Sequence, residues 1–123
     1  MTLETEELQL LLEVALMAVG QNHFVSAKCI LDALEGFRPG HESLDVARAV
    51  MLLSQRHPRE CIDFIDQEGM PRHPENDLLL AFKGAALIQL FRHEEAKRLL
   101  QGLQASRDEN AAGIARGLLA AMG

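Results

Sequence analysis

The sequence predicts an all-α fold, a helical solenoid of about three helix hairpins closed by a C-terminal capping helix. Three observations predict it. Apolar residues recur at helical spacing, as in Leu8, Leu11, Leu12, Ala15, Leu16, Ala18 and Val19. Polar breaks such as residues 20–23 cut the helical stretches into pairs, and two amphipathic helices joined by a short turn bury one face of each against the other. A pattern of small and large side chains then returns at separations of 34 and 35 residues.

The repeat is anchored on a small residue in each second helix: Ala27, Cys61 and Ala96. Twelve positions earlier stands another small residue, Ala15, Ala49 or Gly84, and four positions later a large aliphatic one, Leu31, Ile65 or Leu100. The small pair lets the two helices of a hairpin approach closely, and the aliphatic side chain fills the space beside the crossing. Pro39 follows the first unit, where it stops a helix from continuing. This is the tetratricopeptide layout, whose period is about 34 residues of helix–turn–helix. The units are degenerate, because the usual aromatic positions hold Leu11 and Ala18 in the first and Asp45 and Leu52 in the second.

Taken in order, the elements follow from local chemistry. Thr2 or Thr5 is expected to cap the first helix, with Glu6 and Glu7 in its opening turn, where acidic side chains suit the helix dipole. The second helix runs over about residues 24–35, and Gly36 suits its stop. The second unit has a helix over about residues 42–56, then one opened by Pro58, whose missing N–H costs nothing in a first turn. Two prolines and a glycine make residues 69–76 a loop. The third unit has helices over about residues 77–91 and 93–104. Ser106 with Glu109 three residues later reads as a capping box, opening a last helix that contains Ile114, Leu118, Leu119 and Met122. Gly113 and Gly117 in that helix are expected to allow close packing on its neighbour. The whole chain, 1–123, is thus one domain, with units over about 8–41, 42–76 and 77–108 and a capping helix over about 107–122.

Composition narrows the function. A net charge of −6 disfavours gripping a phosphate backbone, which leans on Lys and Arg. The apolar content is 48%, yet no apolar run approaches the ~18 residues of a membrane span. Glu4, Glu6 and Glu7 stand where a secretory leader would be basic, so a cytoplasmic location is expected. Cys29 and Cys61 are too few for a disulfide scaffold and read as small buried hydrophobes.

No catalytic set emerges, so an enzyme is not expected, nor is a cofactor or metal. His93, Glu94 and Glu95 lack the HExxH spacing, and no phosphate loop or Ser/His/Asp set is present. His23, His57 and His93 each fall in a hairpin turn, but neighbouring turns lie a helix-pair width apart, too far for one ion with bonds of ~2 Å.

The candidate site is instead a surface. In the tetratricopeptide layout the first helix of each unit lines the concave side. The residues that point there are Gln9, Leu12, Leu16, Val19 and Gly20; Ser43, Val46, Val50, Leu53 and Ser54; and Leu78, Ala81, Ala85, Ile88 and Gln89. Ten of these fifteen are aliphatic or alanine, which excludes a clamp for acidic peptide tails, built from Lys, Arg and Asn. An apolar groove between helices suits an amphipathic or largely apolar guest helix, read as anchors at i, i+3, i+4 and i+7. The same face is expected to make the chain self-associate when alone.

The opening LLLEVALMAVGQNHFVSAKCILDAL, with its stretch from Ala15 to Gly20 and the segment Ala27, Lys28, Cys29 and Ile30, resembles the start of the YscG/PscG family. These are small tetratricopeptide-like chaperones of bacterial type III secretion, and the likeness extends to size, three-unit layout and final helix. The resemblance implies a cytoplasmic chaperone whose concave face cradles the C-terminal helix of the needle subunit, with a second small helical protein as co-chaperone. Carried over by residue, the groove is Leu12, Leu16, Val19, Val46, Val50, Leu53, Leu78, Ala81, Ala85 and Ile88. The longer N-terminus and the loop at residues 69–76 depart from the family pattern. The rival reading is a general repeat adaptor that holds a multiprotein assembly together.

Overall fold

A computed structural model describes residues 4–123, and all regular structure among them is helical. The order is α1 (Thr5–Gly20), α2 (Phe24–Phe37), α3 (Glu42–Ser54), α4 (Pro58–Phe64), α5 (Met70–Arg72), α6 (Asp77–Gln89), α7 (His93–Leu103) and α8 (Glu109–Met122). α1 packs on α2, α3 on α4 and α6 on α7, while α1 also touches α3, α3 touches α6 and α6 touches α8.

The turns inside the three pairs share one geometry. Asn22, Arg56 and Phe91 take left-handed φ values of 62°, 61° and 60°. In each, the next residue's N–H reaches back five positions: His23 to the Ala18 carbonyl, His57 to that of Leu52 and Arg92 to that of Leu87, at 2.8 to 2.9 Å. This is the Schellman arrangement, in which one left-handed residue lets the chain satisfy two orphan carbonyls and reverse.

The nine anchor positions are all buried. Ala15, Ala27 and Leu31, then Ala49, Cys61 and Ile65, then Ala96 and Leu100 are fully inaccessible, and Gly84 is buried with them. Two apolar cores result. One joins α1, α2 and α3 through Leu8, Leu12, Leu31, Leu34, Leu44 and Met51. The other joins α3, α4, α6, α7 and α8 through Ala49, Ile65, Leu79, Leu87, Leu100 and Ala111. α3 is their common wall.

Several helix ends differ from the sequence reading. Glu4, not Thr5, precedes α1 and makes no side-chain cap bond; Thr2 lies outside the described residues. α2 runs past Gly36 to Phe37, and the left-handed glycine is Gly40, at φ 66°. His41 caps α3 by accepting from the Ser43 N–H, and Asn76 caps α6 by accepting from that of Leu79. α8 is capped by Asp108, which accepts from Asn110 and Ala111, rather than by Ser106. Ser106 instead donates to Asp77 Oδ2 at 2.6 Å and accepts from the Asp108 N–H. Asp108, two residues after Ser106, stands directly before the first residue of the helix, where its carboxylate reaches the free N–H groups.

The expected loop at residues 69–76 shrinks to four residues. The helix begun at Pro58 continues through a π turn, Ile65–Gly69, into Met70–Arg72. Met70 donates to the Ile65 carbonyl, and Pro71, with no N–H to donate, follows at the point where the ladder has already widened. Gly113 and Gly117 are exposed, and an added Cβ at either meets nothing within 4 Å, so neither serves close packing. Among the described residues no helix is long and apolar enough to cross a membrane.

Candidate apolar trough

A trough of about 340 Å³ opens between α1, α3 and the start of α6. Its floor is Leu12 and Leu16 from α1, Val46, Ala47 and Val50 from α3, and Leu78 from α6. The spacing explains the set: Leu12 with Leu16, and Val46 with Val50, stand four apart and share a helix face. Leu12 is also part of the first core, whereas Leu16 remains 41% exposed, so the trough is open to a partner.

Five of the ten sequence-derived groove residues therefore meet here: Leu12, Leu16, Val46, Val50 and Leu78. Val19 and Ala81 are corrected as groove positions. Val19 is sunk in the α1–α2–α3 core and Ala81 in the core shared with α8, so neither has surface to offer. Leu53 and Ala85 line no part of the trough; Leu53 packs against the second core, and its carbonyl accepts from Gln89 Nε2 at 3.2 Å. Ile88 faces a separate depression of about 430 Å³ shared with Leu118, Leu119 and Met122. On α6 the physical cause is α8, which packs against that helix and interrupts the stripe, whereas Val19 is covered by α2 and α3.

The rim is polar and acidic. Glu13 and Gln9 stand on the α1 side; Glu42, Ser43, Asn76 and Asp108 stand at the starts of α3, α6 and α8. Side-chain hydrogen bonds hold those three starts in line. Asn76 Nδ2 donates to Glu42 Oε1, and the Asp77–Ser106–Asp108 chain ties α6 to α8. Glu13, Glu42, Asn76 and Asp108 were not legible as site residues. The one available signal was Asn76 before the apolar run at Asp77, which marks a cap.

A second polar cluster lies elsewhere. Asp45, 1% exposed, sits 3.1 Å from Arg72 Nε and 3.2 Å from His73 Nε2. His73 Nε2 is also 3.0 Å from the Gly40 carbonyl, and the Gly40 N–H donates to Glu35 at 2.8 Å. Burial pushes the Asp45 carboxyl above its ordinary range, and the charges of Arg72 and His73 pull it back. The cluster joins the α2–α3 turn to the end of α5 and reads as structural.

The cysteines differ from each other. Cys61 is buried, donates to the Ala49 carbonyl at 3.6 Å and has its thiol pushed up to about 12 by burial. Cys29 is exposed, which corrects its reading as a buried hydrophobe. His23 and His57 begin the second helices of their pairs as caps without side-chain cap bonds, and His93 is the first residue of α7. Among the described residues no group of three His, Cys, Asp or Glu side chains is placed to hold a metal ion.

No protein-family model, curated protein or solved structure matches the chain.

Proposed function

We propose that this chain is a bacterial cytoplasmic chaperone of type III secretion whose apolar trough receives the C-terminal helix of the needle subunit and withholds it from premature polymerisation, together with a small helical co-chaperone. A needle subunit assembles through its own helical surface, so a chaperone has to occupy that surface before export. The observation that supports the helix-binding part of the reading is the trough itself, where Leu12, Leu16, Val46, Val50 and Leu78 leave an apolar channel between α1, α3 and α6. The needle subunit as guest and the co-chaperone come from the resemblance of the opening residues to the YscG/PscG family. Anchors at i, i+3, i+4 and i+7 of a guest helix suit such a channel. About 1,000 Å² of buried surface would make a stable complex, with affinity set by fit rather than area.

A tetratricopeptide-like solenoid is part of the same proposal. It is supported by the left-handed turn residues Asn22, Arg56 and Phe91, spaced 34 and 35 apart, and by the buried small–small–large triads. The contacts of α1 with α3, α3 with α6 and α6 with α8 agree with successive hairpins stacked in one direction, α8 taking the end position.

Co-purification tests the proposal. Leu16→Asp and Val50→Asp each place a carboxylate in the trough, and both should lose the needle subunit while far-UV circular dichroism keeps its helical signature. Retention of the subunit by both variants would sink the groove assignment. The adaptor reading is favoured by one feature, a second apolar stripe on α1, where Leu10, Val14 and Met17 share a helix face and are 61%, 43% and 64% exposed. An adaptor would keep its partners in the Leu16→Asp variant and lose them when Met17 is made Asp.

A further inference from the structure

We infer that the guest of this trough is a helix whose apolar anchors are flanked by Lys or Arg. The inference rests on the trough being a helix-binding site and adds the chemistry of its occupant. Three carboxylates, Glu13, Glu42 and Asp108, stand on the rim, and among the described residues no Lys or Arg lines it. Glu6 lies seven residues before Glu13, two helical turns along the same face of α1, and extends the acidic edge. The starts of α3 and α6 and the cap of α8 also reach this rim, and each helix start carries about half a positive charge. Three half-charges offset only about half of three carboxylates, so the field over the trough stays negative. An anionic or neutral guest would bring nothing to balance it.

The same charges argue against a second copy of this chain as occupant, in contrast to the self-association that apolar content alone suggests. The exposed apolar stripe of α1 (Leu10, Val14 and Met17) sits on a helix with Glu6, Glu7 and Glu13 and no Lys or Arg. Seating it in the trough of another copy would set carboxylate against carboxylate. A partner helix with cations beside its anchors meets both the apolar floor and the acidic edge.

Two blocked helical peptides of equal length test this, each with Leu at i, i+3, i+4 and i+7, one with Lys and one with Glu at the flanking positions. An exposed pair is worth about 0.2–1 kcal/mol, or 1.5- to 5-fold, so pairing along the rim should favour the Lys peptide about tenfold. Raising salt to about 0.5 M should shrink the preference, because exposed charges are screened beyond a few ångströms. Glu13 has no hydrogen-bond or ion-pair partner among the described residues, so Glu13→Lys should reduce the preference several-fold without disturbing the fold. Asp63→Lys, an equal charge change on α4 away from the trough, should leave it within about twofold.

Equal affinity for the two peptides overturns the inference, as does an equal response to the Glu13 and Asp63 reversals, which would mark attraction by net charge alone. If both peptides bind equally and Leu16→Asp abolishes both, the groove reading stands and only the charge inference falls. If neither peptide binds, both fall.

Discussion

Gly84 and Leu100 meet so closely that a Cβ on Gly84 would lie 2.6 Å from Leu100 Cδ2 and 2.9 Å from its Cγ. They stand in the α6–α7 pair where Ala15 with Leu31 and Ala49 with Ile65 stand in the two earlier pairs, and this pair alone has glycine at that position. Gly84→Ala should therefore cost stability, although alanine is the better helix former by about 1 kcal/mol. Overpacking of about 1–3 kcal/mol outweighs that gain unless Leu100 moves. Urea denaturation of a double-mutant cycle decides it: in a Leu100→Ala background the Gly84→Ala change should become neutral or stabilising. Additive costs would mean that the two do not clash.

The buried carboxylate of Asp45 should give stability a recognisable pH dependence. Its folded pKa is raised above the ordinary 3.8, with burial the first cause. Between those two values the folded state binds the more protons, so this contribution falls as pH rises through the window. Asp32 works in the opposite sense. Hydrogen bonds from Lys28 and Arg48 hold its carboxyl below the ordinary range, so its contribution is present above 3.8 and is lost in acid. Comparing wild type with Asp45→Asn isolates the first effect: the variant should gain on wild type as pH rises from 3.8 through the raised folded value. A pH-independent difference would contradict the assignment.

Arg72 is the main counter-charge to that carboxylate. Arg72→Met should destabilise at neutral pH by about 1–3 kcal/mol, less than loss of a fully buried partner, because Arg72 is itself 37% exposed and His73 remains. Combined with Asp45→Asn, the change should cost far less than alone. Equal cost in both backgrounds would show that the guanidinium acts through packing.

The two thiols should separate cleanly in reactivity. Cys29 is exposed and should react with a disulfide reagent in the native protein, whereas Cys61, buried and with its thiol pushed up to about 12, should react only on unfolding. Titration should count one thiol in buffer and two in denaturant. Two fast thiols in buffer would place Cys61 at the surface.

Gly113 and Gly117 sit in the exposed interior of α8 with open space where a side chain would go. Each change to Ala should raise stability by about 0.5–1 kcal/mol, by removing backbone entropy from the unfolded chain. A loss of stability at either position would reveal a contact that the open space excludes.

Helical periodicity and the 34- and 35-residue spacing were enough, read from the sequence, to place the hairpins and their buried anchors. Those features depend on neighbours three, four, twelve or sixteen positions away, and Ala27, Cys61 and Ala96 all stand where that local pattern puts them. The groove was only half legible. Val46 and Ala81 look alike as apolar residues on inner helices, yet one lines the trough and the other is swallowed by the core that α8 completes. Asp45 occupied an expected aromatic position and gave no hint of Arg72, which lies 27 residues on, just past the π turn.

By itself, then, the sequence determined that this chain is helical, how its helices pair and which side chains seal each pair, since spacing along a helix dictates which residues share a face. Only the tertiary structure decided which apolar residues remain open and which carboxylates border them. Exposure is a property of the other helices that arrive to cover a face, and no residue's own neighbours in sequence can report it.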